Sequence, residues 1–193
     1  MKLIAIRVDA STRMGTGHVM RCITLAKQLQ DQFTNNCCEI VFLCKKHNGH
    51  LNELVKQQGL TLIELSAPVV NIEKQIDEKL WLGCGFTEDA EECLSLFLSE
   101  NIVDLLIVDH YSLDHHWHNI VKSRMLTNST PNLMVIDDLA NRQHSCDILL
   151  DQTLGRCEKD YQKYVPDNCK LLLGKQFILL RSEFYHAREV AIA

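Results

Sequence analysis

Leu3-Ile4-Ala5-Ile6-Arg7-Val8-Asp9-Ala10-Ser11-Thr12-Arg13-Met14-Gly15-Thr16-Gly17-His18-Val19-Met20-Arg21-Cys22-Ile23-Thr24-Leu25-Ala26 changes period twice. Residues 3–8 are a short apolar run of the length of a buried strand, and residues 9–17 are polar and carry two glycines. From His18 onward Val19, Cys22, Ile23, Leu25, Ala26 and Leu29 recur at helical spacing. A strand, a glycine-bearing loop and a helix in that order are the start of an alternating α/β chain.

The alternation continues outward from this stretch. Strands are expected over 39–44, 61–65, 103–108, 133–136, 148–150 and 171–173. Helices are expected over 51–59, where Leu51, Leu54 and Val55 lead to a glycine stop, and over 72–82, 88–98 and 114–125. Thr87 reads as the N-cap of the third of these, with Glu88 and Asp89 in its first turn. The order β-α-β-α implies an α/β fold, a Rossmann-like open parallel sheet with helices on both faces. In such sheets ligands bind outside the carboxyl ends of the strands. That rule gathers the loop 9–18, Asp109-His110-Tyr111 and Asp137-Asp138 into one place.

Composition narrows the partners. The 193 residues carry 20 basic against 25 acidic side chains, a formal net charge of −5, so no surplus of positive charge is present to hold a nucleic-acid backbone. Only 8 glycines and 3 prolines occur, and hydrophobic residues make up 46%, which excludes collagen-like and largely disordered classes. Charge interrupts the N-terminal apolar run too soon for a signal peptide, and no apolar run approaches the roughly 18 residues of a membrane span. A cytoplasmic protein without a membrane partner is therefore expected. The nine cysteines include no C-x-x-C pair, so they are read as reduced, small apolar side chains, with Cys37-Cys38 the one pair singled out for redox testing.

Several segments can carry chemistry. Gly15 and Gly17 allow a tight turn and close approach of backbone to a ligand, and a helix start offers free N–H groups to an anion. The loop is not a dinucleotide fingerprint, because Met20 stands where the third glycine is required, and no G-K-[ST] follows to make a P-loop. His18 at the helix entrance feels the positive end of the dipole, which favours the neutral, proton-accepting ring of a general base, though a capping or packing role fits the pattern as well. Arg21 reads either as a phosphate or carboxylate contact or as an ion-pair partner. Asp109, His110 and Tyr111 read as acid, orienting or sugar-contacting groups, or as the polar end of a strand. Within Asp114-His115-His116-Trp117-His118, only Asp114 and His118 have the i, i+4 spacing that points two groups the same way, so no metal site is expected. Asp137 and Asp138 should point to opposite sides of an extended segment, and residues 138–142 also read as a turn capped by Asp138.

Taken together, the ordered motifs resemble a known family. Arg7-Val8-Asp9-Ala10-Ser11, Gly15-Thr16-Gly17-His18-Val19-Met20-Arg21, Trp81-Leu82-Gly83, Glu88-Asp89-Ala90, Val108-Asp109-His110-Tyr111, Val135-Ile136-Asp137-Asp138-Leu139-Ala140-Asn141-Arg142, Asp147-Ile148-Leu149-Leu150-Asp151-Gln152, Leu171-Leu172-Leu173-Gly174 and Leu179-Leu180-Arg181-Ser182-Glu183-Phe184 follow one another in an order that resembles the UDP-sugar hydrolases of pseudaminic acid biosynthesis. The resemblance implies the N-terminal half of a GT-B-like architecture over residues 1–193, with the UDP-binding C-terminal domain absent from this chain and supplied in cis or in trans. It implies that His18 is the catalytic base that activates water, and that UDP and a free 2,4-diacetamido-2,4,6-trideoxy sugar are released from a UDP-sugar. Gly15, Gly17, Arg21, Asp109, His110 and Tyr111 would bind or shape the substrate site, and no metal or other cofactor is called for. The alternatives are the acceptor-side domain of a GT-B glycosyltransferase, resembling the lipid-linked transferase of peptidoglycan synthesis, and a binding module without catalysis.

Overall fold

The computed structural model describes residues 2–33, 37–126 and 132–180. The motif residues Arg181, Ser182, Glu183 and Phe184 lie outside the described residues, as does the C-terminal stretch 189–193.

Seven strands form one sheet, all parallel: β1 (Lys2–Val8), β2 (Cys38–Lys45), β3 (Thr61–Leu65), β4 (Leu105–Asp109), β5 (Asn132–Ile136), β6 (Ile148–Asp151) and β7 (Lys170–Leu173). Their order is β3-β2-β1-β4-β5-β6-β7. The chain winds outward from β1 to β3, then returns and winds the other way from β4. The order therefore reverses between β1 and β4, and the crevice outside their carboxyl ends is where an open α/β sheet takes its ligand.

Period-two alternation sends the central strands' side chains into two cores. On one face Ile4, Ile6 and Val8 of β1 and Ile40 and Phe42 of β2 pack with Val19, Cys22, Ile23 and Ala26 of α1 (Gly17–Gln32) and Val55 of α2 (Asn52–Gln57). On the other, Ala5, Val41, Leu43, Leu106 and Val108 pack under α3 (Phe86–Cys93), the π-helical turn Leu94–Leu98 that continues it, and α4 (His115–Arg124). A single-turn helix, α5 (Glu158–Tyr161), buries Tyr161 against the same face. No helix among the described residues is long and apolar enough to cross a membrane.

Four local expectations need correction. Residues 72–82 do not form a helix. Ile72, Ile76 and Leu80 recur at helical spacing, but only Ile72 is buried and Ile76 and Leu80 are exposed, so no continuous apolar face is covered to stabilise a helix. Only a 3-10 turn, Glu78–Leu80, forms there, capped by the Asp77 carboxylate accepting from Lys79 N. α3 is capped at Gly85 rather than Thr87, with Glu88 accepting from Gly85 N at 3.1 Å. Asp89 is fully buried and faces Arg7 instead of a solvated helix start. The turn after β5 is capped by Asp137, whose Oδ2 accepts from Ala140 N at 2.9 Å, and Ala140 takes a positive φ of 49°.

Candidate functional site

The loop between β1 and α1 is held from within and from both sides. Ser11 Oγ accepts from Arg13 N and Met14 N, Gly15 N donates to Ser11 O at 2.9 Å, and Thr12 N donates to Asn48 O at 2.9 Å. Arg13 donates to Gln75 O at 2.7 Å and lies over Trp81. Gly15 has φ of +79°, a conformation side chains rarely adopt. Gly17 has an ordinary φ, and a Cβ built there would meet nothing within 4 Å, so the space in front of it is open. α1 starts after Thr16 with no side-chain cap and no acidic residue in its first turn, leaving the amides of that turn uncapped.

His18 stands in this first turn. Its Nδ1 is 2.6 Å from Oδ1 of Asp109, the last residue of β4. Arg21, one turn on, forks onto the same carboxylate, with Nε on Oδ2 and Nη2 on Oδ1, each at 2.6 Å, and Cys22 Sγ donates to Oδ2 at 3.4 Å. Burial alone would raise the Asp109 pKa, but the charges and hydrogen bonds of His18 and Arg21 hold the carboxyl far below its usual range. Nδ1 of His18 therefore faces a fixed anion, with Arg21 Nη2 3.1 Å from the same nitrogen; a ring with its proton on Nδ1 leaves the lone pair on Nε2, which has no partner among the described residues.

Tyr111 closes the arrangement. Its ring meets the His18 ring edge-on at 4.5 Å, its hydroxyl donates to Asp138 Oδ1 at 2.6 Å, and Trp81 lies 6.0 Å beyond. Asp138 Oδ2 also receives Arg21 Nη1 at 3.0 Å, and Arg156 Nη2 donates to the Asp138 carbonyl at 2.6 Å. Asp138 thus ties together two elements of the site, a role that sequence position alone did not signal. Asp137 points the other way, taking Arg142 Nη1 at 2.6 Å and the Tyr161 hydroxyl at 2.8 Å.

His110 is not brought to His18. Alternation along β4 turns it to the opposite side, where it is buried beside Asp9 with Nε2 3.4 Å from the carboxylate. Burial is the largest influence on it and lowers its pKa to about 3. The same interior holds Arg7, fully buried, clamped between Asp9 (2.6 and 2.8 Å) and Asp89 (3.1 and 2.7 Å), with Trp117 Nε1 donating to Asp89 at 2.9 Å. This network reached the structure unannounced, because Arg7 and Asp89 are 82 residues apart. The pairing of Asp114 with His118 is also corrected. Asp114 is the extended N-cap of α4, so His115 and His116 converge on it within 4.8 Å, whereas His118 is buried and stacks on His144. Cys22, Cys44 and Cys93 are buried, and Cys146 and Cys169 bring their thiols to 3.6 Å of one another.

No family profile matches the chain. Among curated proteins, a protein of Campylobacter jejuni named UDP-2,4-diacetamido-2,4,6-trideoxy-beta-L-altropyranose hydrolase is 28% identical to it over 182 residues, or 94% of this chain. The chain spans about half that relative's length, 53%. The likeness carried by the ordered motifs is to the same kind of hydrolase.

Proposed function

We propose that this chain is the catalytic half of a UDP-sugar hydrolase, acting on a UDP-2,4-diacetamido-2,4,6-trideoxy sugar, with uridine diphosphate held by a second domain in a GT-B-like arrangement. The observation that carries the reading is the His18–Asp109 pair at the point where strand order reverses, with Nε2 of His18 unpartnered among the described residues.

His18 Nε2 takes a proton from water, whose oxygen attacks the anomeric carbon. A bond forms from that oxygen to the carbon as the bond to the β-phosphate oxygen breaks, and the bonding pair leaves with UDP. Asp109 is fully buried and reaches the reaction through His18: it fixes the tautomer and stabilises the imidazolium as it forms. Tyr111 restrains the ring from its other side. The open space at Gly17 and the uncapped amides of α1 admit the anionic leaving group. Arg21 is committed to Asp109 and Asp138, so its part is to hold the carboxylates rather than to grip phosphate.

The test is UDP release from the diacetamido UDP-sugar by the chain together with its second domain. Release to water that is lost in His18→Ala supports hydrolysis. Release that depends on an added sugar or lipid acceptor assigns the chain to glycosyl transfer instead.

A further inference from the structure

β7 is the last strand in the sheet order and pairs with β6 from Ile148 against Lys170 onward. Two cysteines stand just ahead of these strands, Cys146 before β6 and Cys169 immediately before β7, 23 residues apart in the chain. Backbone bonds fix both approaches. Asp147 N donates to Leu133 O at 2.9 Å, Cys169 N to Pro166 O at 2.9 Å, and Lys170 N to Asp147 O at 2.8 Å. Cys146 belongs to the core beneath α4, Cys169 packs against the same core, and their sulfurs meet at 3.6 Å.

The two thiols differ in exposure and in acidity. Cys146 is buried, whereas Cys169 is half-buried between Asn168 and Lys170, both exposed. The hydrogen bond from Cys146 holds the Cys169 thiol below its ordinary pKa although burial opposes it, with Lys122 acting in the same direction as the bond. The same bond, together with burial, pushes Cys146 up. A partly exposed sulfur with thiolate character beside a buried thiol is the arrangement of a reactive cysteine and its resolving partner. Other thiols are placed differently. Burial pushes Cys22, Cys44, Cys84 and Cys93 up. Cys37 leads into β2 and Cys38 begins it, and successive side chains on an extended segment point to opposite sides, so adjacency in the sequence does not make a pair.

We propose that Cys146 and Cys169 form a reversible oxidation site, closed to a disulfide by hydrogen peroxide, and that the bridge staples β7 to β6. The Cys169 thiolate attacks one peroxide oxygen: an S–O bond forms, the O–O bond breaks, and the leaving hydroxide takes a proton to become water. The Cys146 sulfur then attacks the sulfur of the Cys169 sulfenic acid. The S–S bond forms as the S–O bond breaks, and the released hydroxide takes the Cys146 proton. Two thiols and one peroxide thus give one disulfide and two waters, with two electrons passing from sulfur to peroxide. A disulfide places its sulfurs about 2.05 Å apart, so the pair closes by roughly 1.5 Å, a movement on the scale of a side-chain torsion. The bridge lies at the amino ends of β6 and β7, on the opposite rim of the sheet from His18.

The test is peptide mapping of the reduced chain after brief exposure to hydrogen peroxide, with dimedone present in a parallel sample to trap sulfenic acid. The map should show a Cys146–Cys169 linked peptide, two hydrogens lighter than its parts and separated again by dithiothreitol. In Cys146→Ser the resolving thiol is gone, and the dimedone adduct of Cys169 should rise at least about tenfold over wild type. Oxidised wild type should melt at least about 4 °C above the reduced protein, because a bridge across 23 residues restricts the unfolded chain. A first crosslink elsewhere, Cys37 to Cys38 included, overturns the site, as does no crosslink or Cys169 carried to sulfinic acid without one. A linked chain that melts no higher overturns the staple, and a folded Cys146→Ser without the added adduct overturns Cys169 as the attacking sulfur. The wild-type map and melt test the site even where Cys146→Ser does not fold.

Discussion

Nδ1 of His18 stands 2.6 Å from Oδ1 of Asp109, joining the first turn of α1 to the end of β4 across 91 residues of chain. The contact spans the gap where the sheet changes winding direction, so the fold itself brings the proposed base and its proposed orienting carboxylate together. An isolated histidine in that loop would sample several orientations; the carboxylate selects one.

Asp109→Asn keeps the shape and removes the charge. UDP release should fall about 10²- to 10⁴-fold, the span ascribed to acid–base catalysis and to a misoriented histidine. Kinetics on protein whose circular dichroism is unchanged checks this, and wild-type turnover in Asp109→Asn would contradict the dyad.

Tyr111→Phe deletes the hydroxyl bonded to Asp138 and keeps the ring against His18. A bond to a charged acceptor at a half-buried site contributes about 1–2 kcal/mol. Urea unfolding should show a loss of that size, and turnover should drop less than in Asp109→Asn.

Asp89→Ala leaves the Arg7 guanidinium buried with half its carboxylate partners and strands Trp117 Nε1. Breaking such a pair costs about 3–5 kcal/mol. Guanidinium-chloride unfolding should register it, and the effect should exceed that of His18→Ala, which removes no buried ion pair of this kind.

Acid should unfold the protein from below neutrality. Burial is the leading cause that lowers the pKa of His110, His118 and His144, His110 to about 3, whereas an unfolded histidine titrates near about 6.5. Between those values the unfolded chain binds the extra proton, so stability is complete above about pH 6.5 and falls as pH drops, by up to about 1.4 kcal/mol per pH unit for each histidine. Asp109, whose folded pKa is depressed, adds a further loss below about pH 4. Unfolding free energies from pH 7 to 4 test the slope, and His110→Gln should make it shallower; a flat profile contradicts it.

Much of this was legible in the chain. Each expected strand appears, because apolar runs of four to eight residues bounded by polar turns have few other fates in an alternating chain. The helix over 114–125 matches α4 closely, since Asp114 is a true cap and Lys122 and Arg124 suit its last turn. Spacing misled over 72–82, where Ile72 and Leu82 are buried but Ile76 and Leu80, at helical intervals between them, face solvent from a loop. It could not reveal α5, a single turn. His18 and Asp109 were both singled out, and the carboxyl-end rule placed them together, but the Arg21 fork and the tie at Asp138 depend on side-chain directions that no linear pattern carries. The Arg7 clamp was hidden more deeply, because an arginine inside an apolar strand and an aspartate at a helix start each have an ordinary local explanation.

The most direct test of the central claim is hydrolysis of the UDP-2,4-diacetamido-2,4,6-trideoxy sugar in H₂¹⁸O by the chain together with its second domain, wild type against His18→Ala. Attack of His18-activated water at the anomeric carbon predicts UDP free of ¹⁸O, label in the sugar, and release lost in the variant. Label in the β-phosphate of UDP, or release that survives His18→Ala, would contradict it.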